Sequence, residues 1–153
     1  MKYENQMDRA KQAEIIPFLE NKWECRVEET PEKLTLPYDF MLYGEKGLVA
    51  ILELKCRSRT ASFFEQHGWL MDVPRINKLR RIARQKKVPA ILGCVTIDRH
   101  FLYIPVARAY DLKKKDKLPC ADLKWMTDDH GTKQSSKEGV IIPYRYISTA
   151  GRF

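Results

Sequence analysis

The feature that most constrains the fold is a β-hairpin whose second strand is apolar but ends in charged residues. Leu36–Leu42 has the composition of a strand, Gly44–Gly47 supplies turn residues, and Leu48–Lys55 is a second strand. The apolar part of that second strand is typical of a central strand, where charged side chains are normally excluded. It nevertheless ends in Glu53-Leu54-Lys55. Charges in such a position require a partner or a function.

The spacing of the hairpin brings three polar side chains to one face. With the turn centred on Lys46, Asp39 lies opposite Glu53, with their Cβ atoms about 5 Å apart. Side chains alternate along a strand, so Glu53 and Lys55 project to one side while Leu54 points to the other. We therefore expect Asp39, Glu53 and Lys55 to converge.

Two carboxylates held this close repel each other unless a cation joins them. Mg²⁺ prefers a few carboxylate oxygens, and Asp39, Glu53 and the carbonyl group of Leu54 are the predicted ligands, with Mn²⁺ as a substitute. Lys55 would orient an attacking water and offset negative charge. The pattern thus predicts metal-dependent phosphodiester hydrolysis. The alternative is a solvated strand face with a cross-strand ion pair.

The chain is basic, with a formal net charge of +8 and a pI near 9.4, which favours binding to polyanions. Much of this charge is clustered, and part of it directly follows the predicted site. The residues predicted to contact DNA are Arg57, Arg59, Lys78, Arg81, Lys113 and Lys114. Lys78 and Arg81 lie on the basic face of a predicted helix. The alternative is that this face is simply solvated, which is about as frequent as contact with DNA.

Length and composition predict one intracellular domain. The 153 residues are 44% hydrophobic, which suffices for a core. The first residues lack a signal-peptide h-region and no run is long enough for a membrane span, so we expect a cytoplasmic protein, cellular or virus-encoded. The cysteines lack C-x-x-C spacing, which predicts free buried thiols. No Gly-rich phosphate loop is present, so no nucleotide cofactor is expected.

The order of predicted elements is α-β-β-β-α-β-β. Because a strand that follows a helical crossover is commonly parallel to its neighbour, we expect an α/β fold with a central mixed five-stranded sheet flanked by helices. Ser58–Met71 is predicted as a loop, and Pro143 would confine a strand at Val140–Ile147 to a sheet edge or an exposed interface. The other predicted elements are helices at Asp8–Asn21 and from Asp72 or Pro74 to Lys87, and strands at Trp23–Glu29, Pro89–Ile97 and Phe101–Val106.

The stretch from Arg9 to Ala107 resembles the PD-(D/E)XK nuclease superfamily and, within it, the archaeal-type Holliday junction resolvases. Asp39 matches the Asp of the family motif, and Glu53 and Lys55 match its Glu-x-Lys. The opening helical acid matches Glu14, with Glu20 as the alternative. Two features depart from the family pattern: Pro17 beside Glu14, and the aromatic residues of the Ser58–Met71 loop.

The resemblance implies Mg²⁺-dependent cleavage of DNA, in particular of branched four-way junctions, by a homodimer. It implies that Glu14 joins Asp39 and Glu53 in the acidic cluster. A single nuclease domain over residues 1–153 is expected, with a core at about 8–107 and a basic extension at 108–153. Alternatives are a recombination exonuclease, a restriction-type nuclease, or a DNA-binding protein without catalysis.

Overall fold

A computed structural model describes residues 6–31, 36–123 and 137–153 of the protein. The helices of these residues are α1 (Gln6–Trp23), α2 (Ala61–His67), α3 (Val73–Lys86) and α4 (Val106–Lys114). The strands are β1 (Arg26–Glu29), β2 (Phe40–Gly44), β3 (Gly47–Cys56), β4 (Trp69–Asp72), β5 (Ala90–Val95), β6 (His100–Pro105), β7 (Cys120–Leu123), β8 (Lys137–Ile142) and β9 (Ser148–Arg152). A short 3₁₀ helix (Tyr144–Tyr146) separates β8 from β9.

The central sheet has six strands in the order β1-β2-β3-β5-β6-β9. β3 and β5 are parallel, and the other neighbouring pairs are antiparallel. The predicted α/β class with a mixed sheet flanked by helices is confirmed. The predicted number of five strands is wrong by one, because β9 from the predicted extension pairs with β6.

A second sheet of three strands, in the order β4-β8-β7, was not predicted. The segment predicted as a loop at Ser58–Met71 contains α2 and most of β4 instead. The expected edge strand near Pro143 is also wrong, because β8 is the middle strand of the second sheet. Pro143 follows its last residue, so no ladder hydrogen bond is lost.

The two faces of the central sheet are covered by different helices. On one face, Ile15 and Leu19 of α1 pack in a cluster with Leu52 and Leu54 of β3. On the other face, α3, α4 and the second sheet enclose a cluster that includes Ile51. Alternation along β3 therefore places Leu52 and Leu54 toward α1, and Ile51 and Glu53 toward α3.

The predicted helix that ends near Lys87 is confirmed with its boundaries. The Asp72 carboxylate accepts a 2.6 Å hydrogen bond from the Arg75 backbone N–H, and Pro74 lies in the first turn. Lys87 ends the helix in the left-handed conformation, with φ 57°. The opening helix is longer than predicted and keeps Pro17 in its interior.

The hairpin of β2 and β3 has the predicted register near the site, through two deviations that cancel. The turn is centred between Glu45 and Lys46 rather than on Lys46, which shifts the pairing by one residue near the tip. A β-bulge then leaves Val49 without a paired residue, and Phe40 pairs with Leu52 beyond it. The paired residues end at Phe40 and Leu52, and Asp39 lies just before β2 with its N–H bonded to the Leu52 carbonyl. The pairing of Asp39 with Glu53 therefore stays a prediction.

The four cysteines form no disulfide bond among the described residues, and only Cys94 of them is buried. Cys25 and Cys56 are half-buried, and Cys120 is exposed. No helix among the described residues is both long and apolar enough to cross a membrane.

Candidate active site

The Glu53 carboxylate is the most unusual group in the core. Its side chain is only 2% exposed. One oxygen, Oε1, lies 3.0 Å from Lys55 Nζ and 2.9 Å from Arg75 Nη1. These contacts lack hydrogen-bond angles, and within the described residues neither Oε1 nor Oε2 has a hydrogen-bond partner. Glu53 is therefore a buried anion that two cations stabilise by charge alone.

Asp39 is fixed beside Glu53 by backbone hydrogen bonds on both sides. Its N–H donates to the Leu52 carbonyl at 2.9 Å, and its own carbonyl accepts from the Thr30 N–H at 2.8 Å. Its carboxylate oxygen Oδ2 accepts from the Leu54 N–H at 2.7 Å. The carboxylate thus reaches the backbone of the Glu53-Leu54-Lys55 segment itself.

Arg75 contacts the candidate site through Glu53, but no role was predicted for it from the sequence. It lies in the first turn of α3, and this helix crosses the face of the sheet to which Glu53 points. A cation in the first helical turn is disfavoured by the helix dipole. That position, in a turn with no acidic residue, was the available signal that Arg75 has an anionic partner elsewhere.

The arrangement fits a hard divalent cation. An unpartnered carboxylate oxygen in a buried position is the kind of ligand that such an ion takes, and Mg²⁺ commonly uses one or two carboxylates and completes its shell with water and phosphate. Asp39 and Glu53 supply two carboxylates at adjoining points of the hairpin. No group of three or more His, Cys, Asp or Glu residues in the described chain is arranged to hold a metal ion.

The predicted third acid, Glu14, has a different neighbour in this structure. Its carboxylate lies 2.8 Å from Arg99 Nη1, in the turn between β5 and β6. The alternative, Glu20, accepts a 3.0 Å hydrogen bond from the Val27 N–H. The predicted cluster of Glu14 with Asp39 and Glu53 is thus not assembled here, and the catalytic role of Glu14 stays a prediction.

The predicted DNA contacts form two groups. Arg57 and Arg59 are exposed just beyond β3, and the Arg59 guanidinium lies 4.7 Å from the centre of the Phe63 ring. Lys78 and Arg81 are exposed on α3, the helix of Arg75.

The last two predicted contacts lie at the end of α4, which packs against α3. Lys114 is exposed, whereas Lys113 pairs with Glu138 at 3.1 Å. That hydrogen bond raises the pKa of Lys113. Lys113 therefore stays charged but already has an anionic partner.

The segment predicted as a loop at Ser58–Met71 places two of its aromatic residues in the core. Phe64 and Trp69 are buried. Phe63 is half-buried, and its ring centre lies 4.6 Å from that of His67. Only the Phe63 and His67 surface of α2 offers a ring to an outside partner.

Comparison with known proteins identifies the family to which the chain belongs. A family model described as "Phage putative PDDEXK endonuclease" matches residues 1–131. The chain belongs to this PD-(D/E)XK endonuclease family. The match extends past Ala107, where the sequence resemblance was expected to stop. No curated protein matches the chain.

Two solved structures share the fold. One is Hjc, a Holliday junction resolvase from Archaeoglobus fulgidus, with a TM-score of 0.54 at 12% identity over 90% of each chain. The other is D212, a nuclease from a fusselovirus, with a TM-score of 0.50 at 12% identity over 94% of this chain and 83% of that one. At this identity the likeness concerns the fold.

Proposed function

We propose that the protein is a Mg²⁺-dependent DNA endonuclease that cleaves branched DNA, four-way junctions above all. The observation that carries this proposal is the buried Glu53 carboxylate, which has an oxygen without a hydrogen-bond partner in the described residues. The Asp39 carboxylate binds the backbone N–H of the next residue, Leu54. Burying a charged group without hydrogen bonds costs folding stability, so its presence favours a functional role. Family membership and the resolvase-like fold support the DNA substrate.

Asp39, Glu53 and the Leu54 carbonyl would hold the ion, and Mn²⁺ would substitute for Mg²⁺. When bound, the ion polarises the scissile phosphate and lowers the pKa of a water. Lys55 lies beside Glu53 and would orient the attacking water while offsetting negative charge. Arg75 uses one nitrogen toward Glu53, so its other N–H donors can bind a phosphate oxygen. Glu14 would complete the acidic group on approach of the substrate.

The proposal includes a homodimer. A four-way junction is resolved by two cuts on symmetry-related strands, and a two-fold dimer presents two identical sites to them. The mass of the free protein in solution, measured by sedimentation equilibrium, tests this part on its own. A monomer at all concentrations that support cleavage would contradict it.

The activity is tested by cleavage of a labelled four-way junction, a matched linear duplex and single strands, in Mg²⁺ or EDTA. Glu53→Gln removes the buried charge, and Glu45→Gln is the matched control because Glu45 is exposed at the hairpin turn. We expect symmetric, Mg²⁺-dependent nicks at the junction that are lost only in Glu53→Gln.

Other results would redirect the proposal. Ladders from duplex ends would indicate an exonuclease, and site-specific cuts in linear duplex a restriction-type enzyme. Tight binding of these DNA substrates without cleavage in Mg²⁺ or Mn²⁺ would contradict the proposal that the protein is an enzyme. A binding protein without catalysis is the second candidate, because Lys55 and Arg75 already neutralise Glu53 in this structure. Its DNA binding would be salt-sensitive and indifferent to Mg²⁺.

A further inference from the structure

Helix α3 and its C-terminal cap residue carry cations at every third position. The row, here called the basic ridge, consists of Arg75, Lys78, Arg81, Arg84 and Lys87. Residues three apart are neighbours on a helix surface, and each step of three turns by about 60° around the axis. The ridge therefore crosses the exposed side of α3 diagonally, and Arg84 lies on the opposite side of the helix from Arg75. Like charges one turn apart repel each other, so a row of five favours an external polyanion.

The basic ridge begins at the candidate active site. Its first member, Arg75, lies 2.9 Å from Glu53. At 1.5 Å per residue, Arg75 and Arg84 are about 13.5 Å apart along the helix axis. Because they lie on opposite sides of the helix, the path over its surface from one to the other is longer. The ridge thus offers a path that leads away from the candidate active site.

The far part of the ridge enters a groove between α3 and α4. The groove has a volume of about 540 Å³ and is lined by Asn77, Arg80, Arg81, Arg84, Gln85 and Tyr110. The Arg80 guanidinium lies 3.8 Å from the centre of the Tyr110 ring. Such stacking fixes the plane of the guanidinium and leaves its N–H edge for an anion. The groove offers donors and cations to a phosphate chain.

The ridge cations beyond Arg75 are available to a ligand. Lys78, Arg81, Arg84 and Lys87 are exposed. Among the described residues, none of them lies within ion-pair distance of a carboxylate. Asp111, on α4, lines a neighbouring groove with Arg84 but forms no ion pair with it.

We propose that the basic ridge binds the phosphodiester backbone of the DNA strand that leaves the active site and leads it into the α3–α4 groove. The inference rests on the proposed nuclease function and adds the path of one strand. The ligand is the backbone rather than the bases, because the ridge consists of cations and the Tyr110 ring in the groove already stacks with Arg80. Binding should accordingly depend on charge and not on sequence.

The first test measures equilibrium binding of a junction and of a linear duplex in EDTA, as a function of salt. The variant is Arg81→Gln/Arg84→Gln. The matched control is Lys22→Gln/Lys46→Gln, which removes two exposed charges on α1 and at the hairpin turn. Each lost phosphate contact lowers the slope of log K against log salt by about 0.9. We expect a slope lower by about 1.8 in the ridge variant and an unchanged slope in the control.

The second test maps the strand path by cleavage. Substrates are shortened stepwise on the 5′ or the 3′ side of the cut. The ridge predicts that wild type loses activity when one particular side is removed, and that the ridge variant is insensitive to that removal because it has already lost those contacts. A ridge variant that matches the control in salt slope and in both truncation series overturns the inference.

The two proposals fail in different ways. If wild type cleaves no DNA but the ridge variant still lowers the salt slope, the nuclease proposal fails and the ridge stands as a backbone-binding surface. If wild type cleaves junctions and the ridge variant behaves as the control, only the ridge fails. Thermal unfolding of both variants checks that the exposed substitutions leave the fold intact.

Discussion

Removal of the Arg75 charge should destabilise the protein because it leaves Glu53 buried with one cation instead of two. The substitution is Arg75→Met, which keeps the apolar stem of the side chain and removes the guanidinium. Glu53 is 2% exposed and its Oε1 lies 2.9 Å from Arg75 Nη1. The remaining cation is Lys55, whose Nζ lies 3.0 Å from Glu53 Oε1. We expect it to keep this position in the variant.

The magnitude follows from the distance and the exposure. Two unit charges 2.9 Å apart interact by about 5.7 kcal/mol at an effective dielectric constant of about 20. The Arg75 side chain is 36% exposed, so water screens a large part of this energy. A net coupling of about 2–3 kcal/mol remains after that discount. For a chain of this length it corresponds to about 4–12 °C in the melting temperature.

The assay is urea unfolding in EDTA of wild type, Arg75→Met, Glu53→Gln and the double variant. We expect Arg75→Met to cost about 2–3 kcal/mol and the double variant to regain most of it, since no buried charge is left to pair. Arg81→Met is the control on the same helix and should change stability by less than about 0.5 kcal/mol. A coupling energy below about 0.5 kcal/mol would refute the reasoning that charge, rather than packing, joins α3 to Glu53.

Two further predictions concern titration. A hydrogen bond from the Thr96 hydroxyl, and a weaker one from the Ala61 N–H, lower the pKa of Asp98. Its stabilising contribution is therefore present above the unfolded pKa of about 3.9 and lost as the pH falls through the lower folded value. The stability difference between wild type and Asp98→Asn should shrink below about pH 4, and a difference independent of pH would contradict this. Burial raises the pKa of Cys94 to about 12, so iodoacetamide should modify exposed Cys120 in the native protein and Cys94 only after unfolding. Peptide mass mapping identifies the modified cysteines, and modification of Cys94 before Cys120 would contradict this prediction.

Local rules predicted the hairpin and α3 from the sequence. The alternation of β3, the Asp72 cap and the Pro74 first turn are decided by neighbours in the chain. The register at Phe40 and Leu52 was also predicted, although the turn is centred elsewhere and the Val49 bulge compensates for that shift. Local sequence gives no sign of the bulge, so this agreement does not follow from the predicted turn.

The parts that were missed depend on distant contacts. β9 has the sequence Ser-Thr-Ala-Gly-Arg, which lacks the apolar alternation of a strand and is held by pairing with β6. The 58–71 segment has short elements separated by Gly68, whose φ of 72° suits glycine alone. The position of Arg75 in the first turn of α3 signals an anionic partner, but that this partner is Glu53 follows only from the packing of α3 over the sheet.

The bulge at Val49 separates the length of the hairpin tip from the register of the site. Val49 is the residue of β3 that has no partner in β2, so its deletion would leave the pairs Tyr43–Leu48 and Leu42–Ala50 in place. Deletion of one paired residue between the bulge and Glu53 would instead move Glu53 to the other face of the sheet, toward α1. Length changes at an exposed turn are usually tolerated, and the bulge adds a second position where β3 can lose a residue without dismantling the site.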